Sequence, residues 1–156
     1  MSLNPVAPAE GAAFSSHYAS LAGRSTGQAA ELSLILPIPP SINHQYATVN
    51  GRRLLSAQGR SYKALVGQEV MIALSRTPGR LTVLEAFRAN ELALCIRFFF
   101  TSRLRRDVDG GLKIAQDALC QGLGLNDNRI VETHLYKHVD KARPRMEIRL
   151  CVAAKA

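Results

Sequence analysis

Glu91-Leu-Ala-Leu-Cys-Ile-Arg-Phe-Phe-Phe100 is the stretch on which the fold turns. Leu92, Leu94, Ile96 and Phe98 fall on one face of a strand, because side chains repeat every two residues along it. A basic run, Arg103-Leu104-Arg105-Arg106, leaves the end of this strand. The period then changes: from about Asp109 to Leu123 the apolar positions Leu112, Ala115, Ala118 and Leu119 suit a helix, with Gly122 and Gly124 as stops.

Upstream, Glu31-Leu-Ser-Leu-Ile-Leu-Pro-Ile38 starts with strand alternation. Pro37, Pro39 and Pro40 end it, since proline cannot donate to a ladder. Ser41 to Arg53 is a loop or short ribbon, and Asn50-Gly51 is a hairpin-turn signal. Ser56 to Ser75 reads as a helix with Tyr62, Leu65, Val66, Val70, Ile72 and Leu74 on its apolar face, broken by Thr77-Pro78-Gly79. Downstream, Asn126-Asp127-Asn128 is a turn. Ile130 to Val139 alternates, with Val131, Thr133, Leu135 and Val139 facing one way. Arg145 to Val152 alternates again through Met146, Ile148, Leu150 and Val152, and Asp140 to Pro144 suggests an antiparallel hairpin joining the two.

The 156 residues fit one domain. Residues 31–153 carry the patterned segments. Residues 1–30 are rich in Ala and Ser with only Glu10 and Arg24 charged, and read as a flexible tail. With 47% hydrophobic residues and no Trp, the core is mainly aliphatic. The net charge of +8 favours polyanionic partners and says nothing of fold. Cys95, Cys120 and Cys151 form no CxxC pair, which argues against structural zinc, and apolar free cysteines suit a reducing cytoplasm. No apolar run reaches the roughly 18 residues of a membrane span. There is no nucleophile-elbow GxSxG and no phosphate-loop GxxxxGK[ST].

The chemistry concentrates after the central strand. Asp107 and Asp109 abut the basic run, and Lys113, Asp117 and Asp127 follow. Arginines attract a polyanion while clustered carboxylates repel one. The combination makes sense if a divalent cation bridges carboxylates to phosphate, and Mg²⁺ prefers such hard oxygen ligands. That arrangement points to phosphodiester hydrolysis. Each residue also has an ordinary structural explanation. Asp109 would cap the helix, Lys113 and Asp117 would form an exposed ion pair, and Asp127 would make an Asx turn. His134 and His138 have a metal spacing only on a helix, and here they lie on a strand pattern. Arg52, Arg53 and Arg60 are either plain surface charge or an extension of a phosphate-binding surface.

Leu36-Pro-Ile-Pro-Pro-Ser-Ile-Asn43, Arg106-Asp-Val-Asp109 with Lys113, Asp117-Ala-Leu119 and Asn126-Asp-Asn-Arg-Ile130 resemble the RusA family of Holliday-junction resolvases from about residue 33 to residue 151. The resemblance implies a homodimeric α/β nuclease that nicks four-way DNA junctions with Mg²⁺ or Mn²⁺. It places metal binding on Asp107, Asp109 and Asp127 and the essential lysine on Lys113; DNA contacts are expected of Arg103, Arg105, Arg106, Lys113 and Asn43. One departure stands out: the family usually has Asn after the second aspartate, where this chain has Gly110.

The expected fold is therefore a small single α/β (α+β) domain, with a mixed, mostly antiparallel sheet and two main helices. The expected activity is metal-dependent resolution of junctions by paired nicks in the cytoplasm. The alternative is a catalytically impaired module that binds junctions without cutting them.

Overall fold

The computed structural model describes residues 30–103 and 107–154. Residues Ala30–Ala153 form one compact unit, and the tail expected over 1–30 lies, Ala30 apart, outside the described residues. The elements in chain order are β1 (Glu31–Leu36), α1 (Ile42–Gln45), β2 (Tyr46–Val49), β3 (Arg52–Leu55), α2 (Ala57–Arg76), α3 (Arg80–Ala89), β4 (Leu92–Phe100), α4 (Leu112–Leu123), β5 (Ile130–Val139) and β6 (Arg145–Val152).

Four strands form one sheet in the order β1-β6-β4-β5, and β2 and β3 form a separate two-stranded ribbon. β4 is buried along its whole length except at Arg97. A strand apolar on both faces belongs in a sheet's interior, and β4 lies between β6 and β5. It runs antiparallel to β6 and parallel to β5. The result is the mixed, mostly antiparallel sheet that the sequence indicated.

Two expectations need correction. β5 and β6 do not form a hairpin, because β4 lies between them. α4 carries the chain back to the start of β4, so β5 leaves parallel to it, as a crossover connection requires. β6 then takes β4's other side, where Met146, Ile148 and Leu150 are buried. β5 is left at the edge, with Val131 and Val139 about half exposed and Leu135 packed on the core. The second correction is a third substantial helix, α3, beyond the Thr77-Pro78-Gly79 break. Gly79 precedes it at φ 65°, and Val83 and Phe87 turn into the core. Their four-residue spacing is a helical signal, but a short one.

One face of the sheet carries the core. Leu32, Leu34 and Leu36 of β1 meet Tyr62, Val66, Val70 and Leu74 of α2 and Ile114, Ala115, Ala118 and Leu119 of α4. The other face is covered by its own charged side chains. Arg97 pairs with Glu147, Arg145 with Glu147 and Asp140, and Arg149 with Glu31. The Arg145 guanidinium lies 3.9 Å from the Phe99 ring centroid, and His138 stacks on the same ring. His134 bonds Glu132 at 2.6 Å. Both histidines are thus engaged on the sheet and neither forms a helical metal pair. The three cysteines are buried and free, and burial raises the Cys95 and Cys120 thiols to about 11, as expected of small hydrophobes.

Candidate active site

β4 runs out into Thr101, Ser102 and Arg103, and Leu104 to Arg106 lie outside the described residues, so the phosphate contacts expected of Arg105 and Arg106 lie there too. Arg103 is exposed, and its carbonyl accepts from Lys137 Nζ. The chain then turns rather than entering a helix at Asp109. Gly110 N–H donates to Asp107 O and Leu112 N–H to Asp109 O, and α4 begins at Leu112. The Asp109 side chain makes no cap hydrogen bond. The capping explanation therefore fails, and so does the idea of one helical stripe through Asp109, Lys113 and Asp117. Glycines at 110 and 111 delay the helix because they gain least from ordering.

Asp107 lines a depression of about 240 Å³ with Pro39, Pro40, Asn43, Gly110 and Gly111, over Phe98 and Phe100. Asn43, expected to contact DNA, thus shares a cleft with Asp107 although 64 residues separate them in the chain. The two walls are locked together by Gln45, which is 1% exposed. Its Nε2 donates to Pro40 O at 2.8 Å and to Gly110 O at 3.1 Å. Its own carbonyl accepts from Ser56 N–H, so the same residue ties the start of α2 into the site. Gly111 completes the junction: a Cβ there would stand 2.3 Å from Pro39 Cγ. Gly111→Ala should therefore push the proline loop off the turn at residues 107–111 and lower stability by about 1–3 kcal/mol, the usual cost of overpacking. Urea unfolding measures this, and an unchanged midpoint would show that the contact is not tight.

At the other side, Lys113 Nζ lies 3.3 Å from Asp117 Oδ2. The exposed helical pair anticipated for these two residues does form. The hydrogen bond to Asp117 holds the Lys113 ammonium above its ordinary range, and the charge of Asp127 adds to the shift. The turn before β5 is made by Asn126, not by Asp127. Asn126 Oδ1 accepts from Asn128 N–H at 3.1 Å. Asp127 is released from the turn-making role and sits exposed in the short 3₁₀ turn Asp127–Arg129.

The structure thus gathers Asp107, Asn43 and Gly110 at one cleft and pairs Lys113 with Asp117 in the first turns of α4, while Asp127 follows the far end of that helix. The carboxylates of Asp107, Asp109 and Asp127 form no hydrogen bond or ion pair among the described residues. Three or more metal-binding side chains do not converge into one cluster among the described residues. The donor chemistry nevertheless fits a hard cation: exposed carboxylate oxygens with room for water and phosphate, as Mg²⁺ takes them. Sequence reading missed Gln45 and the packing role of Gly111. A lone loop glutamine has no periodic signature, and a glycine in sequence does not say which neighbour it lets approach.

Residues 37–151 match the family described as Endodeoxyribonuclease RusA. A crossover junction endodeoxyribonuclease RusA from Escherichia coli is 32% identical over 106 residues, 67% of this chain and 81% of that protein. The protein of the same name from Enterobacteria phage 82 is 30% identical over 105 residues, 67% of this chain and 80% of its own. A solved 2C-methyl-D-erythritol 2,4-cyclodiphosphate synthase from Plasmodium vivax overlays 81% of this chain and 97% of its own, but at 10% identity and a TM-score of 0.28 it carries no argument. The class that these matches support is an endodeoxyribonuclease. The chain belongs to the RusA family of endodeoxyribonucleases.

Proposed function

We propose that this protein is a divalent-metal-dependent endonuclease that resolves four-way DNA junctions by paired nicks, acting as a homodimer. The observation that carries the reading is the set of three exposed carboxylates, Asp107, Asp109 and Asp127, that pair with no described residue, with Asp107 in the cleft of Asn43. Unpaired carboxylates flanked by arginines repel each other and the substrate unless a cation joins them. Their oxygens are the ligands that would hold Mg²⁺ or Mn²⁺. When bound, such an ion polarises the scissile phosphoryl group and acidifies the attacking water.

The chain's own residues do the rest. Arg103, with Arg105 and Arg106, draws the phosphate backbone over the cleft, and Asn43 donates from its other wall. Lys113 acts as a cation rather than a base: its pKa is raised, so it stays protonated at neutral pH. One of its three N–H donors is engaged by Asp117, which leaves the others for a phosphate oxygen or for charge developing on the leaving group. In the described structure no helix is long and apolar enough to cross a membrane.

A second reading, a junction-binding module without cleavage, is motivated by Gly110. The structure makes the test clean. A Cβ at Gly110 would meet only Asp107 O at 3.4 Å, and the backbone there is not left-handed. Gly110→Asn is thus accommodated and returns an amide beside the metal-binding carboxylates. Lost partners of metal ligands typically cost ~10–100-fold in activity or affinity, so the variant should nick junctions faster than the parent, most visibly at low Mg²⁺. The assay compares junction, duplex and single strand, with Mg²⁺, Mn²⁺ and EDTA. An active parent supports the enzyme. An inert parent with an active variant identifies an impaired resolvase. Inert parent and variant on every junction and metal would remove the nuclease reading.

A further inference from the structure

No Asp or Glu occurs between Glu31 and Glu69, while Arg52, Arg53, Arg60 and Lys63 fall inside that interval. The structure brings these four cations onto connected surface. Arg52 and Arg53 sit on the ribbon β2–β3, exposed along nearly all its length. The ribbon is built as a tight hairpin: Asn50 and Gly51 both adopt positive φ, 50° and 74°, the pairing that a two-residue turn matching strand twist requires. Leu55, at the ribbon's base, also lines a groove of about 430 Å³ between α2 and α4, with Arg60 and Lys63 on its rim and Gly67, Ala118 and Gly122 along it.

Three features separate these cations from the others. The sheet-face arginines Arg97, Arg145 and Arg149 are each neutralised by a carboxylate, whereas Arg52, Arg53, Arg60 and Lys63 make no ion pair with a described residue. Two of them are held in place by uncharged partners. The Arg53 guanidinium stacks 4.5 Å from the Tyr46 ring centroid, and Arg60 Nη1 donates to Leu55 O. Lastly, Gly67 lies mid-helix, where glycine costs about 1 kcal/mol against alanine, although a Cβ there would meet nothing within 4 Å. Internal packing does not demand that glycine. A ligand backbone approaching from outside would use the space that a side chain there would fill.

We infer that the β2–β3 ribbon and the α2–α4 groove form a second DNA surface, which holds the backbone of a duplex arm leading away from the cut. The inference rests on the junction-nuclease reading and names a part of the substrate beyond the scissile phosphate. A two-stranded ribbon is a shape the major groove admits. Its root, Tyr46, follows directly on Gln45, which bonds Gly110 O beside the carboxylates, and α4 runs from Lys113 at its start to Gln121 and Gly122 at the groove. A duplex seated at the carboxylates therefore continues over ribbon and groove. An acidic protein segment would be attracted by the same charge, but nothing ties it to the nuclease cleft.

The test uses the whole chain in EDTA, so that binding is read without cleavage. R52A/R53A and R60A/K63A are titrated against a four-way junction over a range of KCl. Each lost phosphate contact lowers the slope of log affinity against log salt by about 0.9, so each pair should lower it by about 1.8. R76A/R80A removes the same charge from exposed positions elsewhere and should leave the slope near that of the parent. Circular dichroism melts confirm folding, and either double variant alone suffices. Equal slopes for both pairs and the parent, with the parent binding the junction, would overturn this surface and leave the nuclease reading standing. A parent that binds no DNA would overturn both. Slopes lowered equally by R76A/R80A would reduce the effect to net charge. Displacement of the junction by poly-glutamate at equal charge concentration would reassign the surface to an acidic protein.

Discussion

Asp107→Asn and Asp109→Asn should each lose at least about 100-fold in junction cleavage while binding junctions as tightly as the parent or more tightly. The loss of a mere partner of a metal ligand costs ~10–100-fold, and removing the ligand itself should reach or pass the upper end. Binding should hold or improve because a negative charge facing phosphate is removed. Stability should stay within about 0.5 kcal/mol, the usual range for surface positions without special contacts. Both residues are exposed, and neither carboxylate has a partner among the described residues. A lost activity cannot then be assigned to unfolding. Asp127→Asn belongs to the same series, and Asn126 keeps the turn intact without it. The measurements are single-turnover nicking with Mg²⁺, gel shifts in EDTA and a thermal melt. Cleavage at the parent rate by any of the three would remove that residue from the proposed metal site.

Much of the fold was legible because it rests on local periods. The strands β1, β4 and β6 bury the positions that alternation indicates. Asn50-Gly51 makes its hairpin, α4 buries Ala115, Ala118 and Leu119, and α2 buries Tyr62, Val66, Val70 and Leu74, whereas Leu65 and Ile72 of the face read for it lie exposed. What local periods do not encode is which strands are neighbours. The alternation of β5 and β6, with a turn-rich link between them, fits a hairpin as well as it fits two strands flanking β4. Only the two-faced burial of β4 and the return of α4 decide it. The site divides in the same way. Asp107 and Asp109 were visible because they are adjacent to the arginines in sequence. The meeting of Asn43 with Asp107 was visible only through family resemblance. The clamp that produces that meeting is a side chain bonded to two backbone carbonyls, and carbonyls leave no mark in a sequence. Where residues had two local explanations, geometry chose differently each time: Lys113 does pair with Asp117, Asp109 does not cap, and Asn126 rather than Asp127 makes the turn.

Gln45→Leu carries the second large expected effect. The leucine fills similar volume but donates no hydrogen bond. Pro40 O and Gly110 O then lose the Nε2 donor in a nearly water-free spot, since Gln45 is 1% exposed. A buried group left unsatisfied costs about 1–3 kcal/mol, so the melting temperature should fall while the protein still folds. The larger consequence is positional. Gly110 follows Asp109 directly, and Pro40 leads into Ser41 and Asn43, so the clamp sets the distance between the two walls of the cleft. Loss of such support should lower cleavage by about 10–100-fold. A purely structural role predicts something else: fewer active molecules, with the Mg²⁺ dependence of the survivors unchanged. The discriminating measurement is therefore the Mg²⁺ concentration for half-maximal nicking, taken well below the melting temperature. It should rise in Gln45→Leu and fall partway back in Gln45→Asn, whose shorter amide still donates to one wall. Junction affinity in EDTA should barely change, because the cations that attract DNA are untouched. An unshifted Mg²⁺ curve in Gln45→Leu, with activity tracking only the folded fraction, would make Gln45 a stabilising residue and nothing more.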